Sequence, residues 1–327
     1  MTKLNWKELD EQILTAINGL GEHGFTEPTI RSVYYVLGSL NVIPLTRSGY
    51  QQLDRKITEM RKNGKIDWGF FAVKRGTSNE AGIPVPLPHN HRVILPYVTP
   101  DEWASFCINQ LKQAHSIFKL PRWFKQENLV EVWVEKDGLL GATSSWLRDL
   151  EVTVRAPQGY GAWEFIHDSM KRMQEEIERQ EKQHIRIIYL GDLDPSGKDI
   201  PRFMSQEAIT YFQNFLTVED LEFNEIGLSP QQVRQYNLPE QPEAQEVKDK
   251  IERDPRLKWY QEHYPRDMFV ELDAFYALAT DAARNLIRTT VESYFDSETF
   301  TETREEEKEM KEGIQNMVSD HVTFAGE

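Results

Sequence analysis

The chain has one cysteine, Cys107, among 327 residues. A single thiol excludes an internal disulfide framework and any zinc site built from cysteines. Long apolar runs are missing too: none approaches the roughly 20 residues that a membrane span needs. The opening Met1-Thr2-Lys3-Leu4-Asn5-Trp6 lacks the apolar core of a signal peptide, so a cytoplasmic location is the default expectation and no membrane partner is expected. Positive charge is in short supply. Lys and Arg number 38 against 53 Asp and Glu, a net charge of −15, which excludes a surface that is basic throughout. What remains is ordinary globular material. An apolar content of 39% with 8 Trp, 12 Tyr and 16 Phe suffices for about two domains with a sizeable core.

The scarce positive charge is not spread evenly. From Arg31 to Gly76 nine basic residues stand against three acids, whereas from Asp296 to Glu327 ten acids stand against three bases. The first segment fits either a solvated helix face or a nucleic-acid footprint. Its pattern favours three helices. Leu9, Ile13, Ala16, Ile17 and Leu20 keep helical spacing, a second helix runs from about Thr29 to Leu40, and a third spans about Arg47 to Asn63. Residues 65–73 then suit a small hairpin. Three helices, the last one basic, and a β-wing describe a winged helix-turn-helix over residues 1–76, with Arg47, Arg55, Lys56, Arg61, Lys62 and Lys65 as phosphate contacts. Residues 77–127 are a connector. Ile83-Pro84-Val85-Pro86-Leu87-Pro88 cannot hold a helix, and one helix follows from about Asp101 to Phe118. His89, His91 and His115 show no metal-ligand spacing and read as structural.

Residues 128–327 alternate strand and helix. Strands at 129–134, 151–155 and 185–190 are each followed by a helix, which predicts a parallel α/β sheet. Leu221 to Leu228 and Met268 to Leu272 are candidate further strands, and the acidic tail from Ser297 to Glu312 reads as an exposed helix or as disordered.

Two acidic clusters close two of these strands. Leu129-Val130-Glu131-Val132-Trp133-Val134 ends at Glu135, and Ile185-Arg186-Ile187-Ile188-Tyr189-Leu190 ends at Asp192 and Asp194. Groups at the carboxyl ends of neighbouring parallel strands converge on one crevice. Asp192 and Asp194 lie two apart, so in extended backbone they point the same way. Asp194-Pro195-Ser196-Gly197 also fits a type I turn. Either Asp194 is only a turn residue and Glu135 a solvated strand end, or the three acids hold a hard divalent cation, Mg²⁺, with Lys136 neutralising substrate phosphate.

The region 129–199 closely resembles a Toprim domain, a metal-binding fold of topoisomerases, primases and some nucleases. Its signature is a glutamate after the first strand and Asp-x-Asp after a later one, here Glu135 and Asp192-Leu193-Asp194. A primase is the weakest match, because zinc-binding cysteines are lacking.

On the second predicted helix, Ile30, Val33, Tyr34, Leu37 and Leu40 form one apolar stripe. Arg31 and Tyr35, four apart, fall together off that stripe. Tyr34 therefore reads as core and Tyr35 as a displayed phenol beside a guanidinium. From helix geometry alone it is equally an ordinary tyrosine beside a recognition helix. Arg31-Ser32-Val33-Tyr34-Tyr35 is similar to a signature of the DNA-cleaving subunit of DNA topoisomerase VI and its relative, the meiotic double-strand-break transesterase, with Ser32 at a usually acidic position. Segments Phe223 to Val233, Asn237-Leu238-Pro239 and Val270-Glu271-Leu272-Asp273-Ala274 also resemble that family, and the small size suits its stand-alone members from mobile elements. The resemblance implies a winged-helix tyrosine domain followed by Toprim, and a homodimer acting on double-stranded DNA. Tyr35 would be the nucleophile and Arg31 its stabilising cation. Glu135, Asp192 and Asp194 would hold Mg²⁺, with Glu135 also an acid/base, and active sites would be shared between protomers. It also implies a separate ATPase of the GHKL type as a partner for strand passage, and nothing in this chain resembles one. A metal-dependent nuclease using water and a non-catalytic DNA-binding relative stay open. Glu271 is a minor candidate whose simpler reading is structural.

Overall fold

The computed structural model describes residues 6–22, 25, 28–66, 70–71, 99–157, 162–180, 182–215, 220–240, 252–266 and 268–324. Three helices come first: α1 (Trp6–Glu22), α2 (Ile30–Ser39) and α3 (Arg47–Lys62). Each begins or packs for a local reason. Thr29 caps α2 by accepting from Ser32 N at 3.0 Å, and Thr46 caps α3 by accepting from Gly49 N at 3.1 Å. Leu9, Ile13 and Ile17 of α1, Val33 and Leu37 of α2, and Leu53, Ile57 and Met60 of α3 recur every three or four residues and are buried together. The predicted hairpin at 65–73 and the proline-rich part of the connector fall mostly outside the described residues. The predicted helix after the connector is two pieces, α4 (Pro100–Lys112) and α5 (Ala114–Ile117).

The second half carries a four-stranded, wholly parallel sheet in the order β2-β1-β3-β4. Its strands are β1 (Asn128–Val134), β2 (Thr153–Arg155), β3 (His184–Leu190) and β4 (Asp220–Gly227). The crossovers hold α6 (Leu140–Trp146), α7 (Ala162–Gln180) and α8 (Pro195–Phe215), so the α/β alternation read from sequence is what forms. Both faces are covered, which explains the nearly continuous apolar strands. Val130, Val132, Val134, Ile188 and Leu190 face one core, which runs without a break into the three-helix unit. Trp133, Ile185, Ile187 and Tyr189 face the other, against Met170, Met173 and Ile177 of α7 and Met204 and Ala208 of α8.

After α9 (Pro230–Gln235) and α10 (Leu257–His263) come α11 (Leu272–Leu278), α12 (Thr280–Ser293) and α13 (Ser297–Phe324). Two expectations are revised here. Met268 to Leu272 makes no strand: a single antiparallel bridge joins Val270 to Leu193, and Leu272 already begins α11. The acidic tail is a 28-residue helix that is not freely exposed. Thr303 and Glu307 are buried, and Glu307 accepts from Leu120 N at 2.9 Å while pairing with Arg304 and Lys311. None of the helices among the described residues is long and apolar enough to cross a membrane.

Candidate functional site

Because β1 and β3 are neighbours in register, their ends meet. Glu135 N donates to Leu190 O at 2.9 Å, one step beyond the paired strands, and Glu135 Oε2 accepts from Asp192 N at 2.8 Å. Asp192 is buried, with Oδ1 accepting from Leu272 N at 2.8 Å and Oδ2 lying 3.0 Å from Lys136 Nζ. Asp194 performs the turn role, since Oδ1 accepts from Gly197 N at 2.7 Å and from Ser196 Oγ at 3.1 Å, starting α8. Two glycines make this approach possible. A Cβ on Gly191 would lie 2.9 Å from Glu135 Oε2, and one on Gly197 would collide with Asp192 O.

The cluster is electrostatically costly. Burial, then Asp194, push the Glu135 carboxyl above its usual range, against the pull of its hydrogen bond and Lys136. Burial raises Asp192 well above the carboxylate range despite Lys136, with Glu135 and Asp194 adding to it. The Tyr189 hydroxyl is buried beside these acids with no hydrogen-bond partner among the described residues, and its pKa is raised by burial and by their charge.

Lys136 is the internal counter-ion. Its Nζ bridges Asp192 at 3.0 Å and Asp273 at 2.8 Å, with Glu271 at 4.0 Å. Burial disfavours its charge, but the three acids outweigh that and raise its pKa well above the usual value. Asp273 experiences the converse: burial pushes it up, and Lys136 and Arg31 hold it below the usual value.

The tyrosine reaches this same network. Tyr35 OH donates to Glu271 Oε2 at 2.6 Å, and Arg31 pairs with Glu271 Oε1. Tyr35 is therefore not the displayed phenol that the helix stripe predicts: it is 1% exposed. The reason is tertiary. The face of α2 opposite its own three-helix core packs on α11, so both faces of α2 are covered. Tyr34 is core as expected, and its OH donates to Thr46 O at 3.0 Å. Burial, then Glu271, raise the Tyr35 phenol well above its ordinary pKa, with Arg31 opposing. For Arg31, desolvation is outweighed by Glu271 and Asp273, so it stays charged.

The basic residues of α3 divide. Arg47, Arg55 and Lys62 are exposed, as a phosphate-binding role requires. Lys56 and Lys65 both reach Asp10 of α1, at 2.9 and 2.6 Å, and Lys56 is largely covered. Arg61 is half-buried with its guanidinium 4.8 Å from the Phe71 ring centre. Lys136 lies within the acid network and not on a basic surface. Sequence reasoning gave Glu271 and Asp273 too little weight. The available signal was Glu271-Leu272-Asp273 directly after Met268-Phe269-Val270, an acid pair two apart behind an apolar run, as in Asp192 and Asp194.

Among the described residues, no group of three His, Cys, Asp or Glu side chains is drawn together as a finished metal cage. Both Asp192 oxygens are committed to protein donors. Glu135 Oε1 and Asp194 Oδ2 have no hydrogen-bond partner among the described residues, so two carboxylate oxygens remain beside the buried acids. That chemistry suits Mg²⁺, which takes one or two carboxylates and keeps several waters. No protein-family model matches the chain, and no curated protein or solved structure is significantly similar to it.

Proposed function

We propose that the protein is a DNA transesterase of the type IIB topoisomerase kind, with a winged-helix tyrosine domain ahead of a Toprim domain. One observation carries this reading. Tyr35 lies a hundred residues before Glu135 and more than 150 before Asp192, yet one polar network joins its hydroxyl through Glu271 and Lys136 to Asp192.

In the reaction Tyr35 Oη gives up its proton to solvent water as it attacks a backbone phosphorus of duplex DNA. A bond forms from the tyrosine to the 5′ phosphate, the bond to the 3′ oxygen breaks, and Glu135 protonates that leaving oxygen. Arg31 stabilises charge on the phosphoryl oxygens. Glu135 and Asp194 would hold Mg²⁺, with Asp192 behind them, and the ion when bound offsets phosphate charge. Arg47, Arg55 and Lys62 hold the duplex, so affinity falls by nearly one power of salt concentration per phosphate contacted. The partner protomer of a homodimer would cut the second strand. A separate ATPase would be needed only to couple cleavage to strand passage.

The test is incubation with supercoiled plasmid and Mg²⁺, with and without ATP, followed by denaturant and protease. Protein covalently held on 5′ ends is expected, and it should vanish in Tyr35→Phe. A hydrolytic nuclease using water is the second reading, favoured by the burial of Tyr35. Cutting that persists in Tyr35→Phe with protein-free ends would establish it and refute the transesterase.

A further inference from the structure

A nucleophile that is 1% exposed cannot touch a DNA phosphate. Tyr35 packs on the Tyr34 ring of its own helix, and the polar groups that hold it belong to the loop and helix beginning at Glu271. Tyr35 OH donates to Glu271 at 2.6 Å, Arg31 of the same helix pairs with that carboxylate, and Thr29 at the start of α2 donates to Asp273 Oδ1 at 3.1 Å. Glu271 and Asp273 are themselves held by Lys136. Around Tyr35 the seam between α2 and α11 is polar and charged, with both acids at the first turn of α11, while Leu272, Ala274 and Phe275 of α11 lie in the apolar core that α2 shares. The ion-paired part of this seam can exchange its partners for water or phosphate on parting, which the face of α2 where Val33, Tyr34 and Leu37 meet α1 and α3 cannot do.

We infer that Glu271 is a positioning residue that latches the nucleophile in a resting state, and that α2 must part from α11 before Tyr35 can meet DNA. The inference rests on Tyr35 being the nucleophile. When the seam opens, Tyr35 leaves Glu271 and Arg31 loses its carboxylate partner, which frees its guanidinium for a phosphate. Tyr34 does not take part. Its hydroxyl is bound to Thr46 O within the three-helix unit, so it stays buried whether the seam is open or closed.

The geometry supplies a lock. An ideal Cβ on Gly138, in the turn after β1, lies 3.9 Å from Thr29 Cβ, which is disulfide spacing. The only steric conflict is with Thr29 Cγ2 at 2.6 Å, an atom that Thr29→Cys removes. With Cys107→Ser, the pair Thr29→Cys and Gly138→Cys should close the seam when oxidised and release it when reduced.

Two measurements decide the matter, both by mass spectrometry of hydroxyl-radical labelling at Tyr35 with Tyr34 as internal control. Without DNA, Tyr35 of the wild type should be protected, and Glu271→Ala should raise its labelling about tenfold, the population change for losing one hydrogen bond to a charged group. Tyr34 labelling should not move. With DNA and Mg²⁺, the oxidised staple should keep Tyr35 protected and suppress trapped protein–DNA ends, and thiol should restore both. Labelling of free wild-type Tyr35 at the level of an exposed tyrosine would overturn the latch, as would undiminished trapping by the oxidised staple. If Glu271→Ala does not fold, the staple decides alone. Because the labelling in the free protein needs no catalysis, a wild type that never links to DNA refutes the transesterase while the latch is judged separately.

Discussion

The two ends of the parallel sheet both bury charge, and they do so differently. Toward the strand amino termini three acids each meet one base. Glu131, fully buried in mid-strand, is bound by Arg172 of α7 and by Trp133 Nε1 at 2.9 Å. Lys119 meets Glu151, and Arg179 meets Glu176. At the carboxyl end Lys198 pairs with Glu225, but Glu135, Asp192, Asp194, Glu271 and Asp273 crowd round Lys136 and Arg31. Matched pairs need nothing further and fix structure. Unmatched acids cost stability, and on the proposed reading a bound cation would offset them. Imbalance, not burial of charge as such, separates the carboxyl end from the other.

That comparison breaks most readily at Glu135. Glu135→Gln should lower trapped protein–DNA ends by about 10²–10⁴-fold, the range for a general acid. The same change should remove the stabilisation by Mg²⁺, which for the wild type amounts to about 2.7 kcal/mol at a hundred times the dissociation constant. Plasmid trapping and thermal melts with and without Mg²⁺ check the two parts. Unchanged melting of the wild type in Mg²⁺ would show that the acid excess is not a cation site.

The matched end should answer in the opposite currency. Glu131→Gln leaves Arg172 facing a neutral amide inside the second core. Breaking a buried pair costs about 3–5 kcal/mol, and because the Arg172 side chain is 31% exposed the lower figure is expected. Urea unfolding should show that loss, while cleavage per folded molecule stays at the wild-type level. A catalytic defect without a loss of stability would erase the distinction between the ends.

How much of this was legible beforehand follows from the range of the forces involved. Local pattern gave the three helices, the strands at 129–134 and 185–190, which form as Asn128–Val134 and His184–Leu190, and put Glu135 and Asp192 just past strand ends, because period and turn chemistry act over a few residues. The burial of Tyr35 was illegible. Helix spacing shows only which side of α2 meets its own three-helix core, and α11, which covers the other side, lies more than 200 residues on. The pairing of Lys56 and Lys65 was illegible for the same reason, since their acid, Asp10, sits on another helix. Composition showed an acidic chain, but the difference between matched and unmatched acids exists only in three dimensions.

Lys182 sharpens the comparison at its smallest scale, because it is a buried cation at the matched end with no acid bound to it. It is 4% exposed, and its ammonium donates to two backbone carbonyls, Trp123 O at 2.7 Å and Gln126 O at 2.9 Å. Burial lowers its pKa to about 8, with Glu176 opposing weakly. In the unfolded chain the same amine titrates near 10.4. Between those values the unfolded state binds more protons than the folded one, so stability should rise with pH from about 8 to about 10. The carbonyl partners favour the charged form and limit the gain to about 1–2 kcal/mol. Lys182→Met should flatten that rise, which urea unfolding at pH 7, 8, 9 and 10 measures directly. Parallel profiles for wild type and variant would mean that the two carbonyls fully offset the burial, and that the matched end hides no electrostatic cost at all.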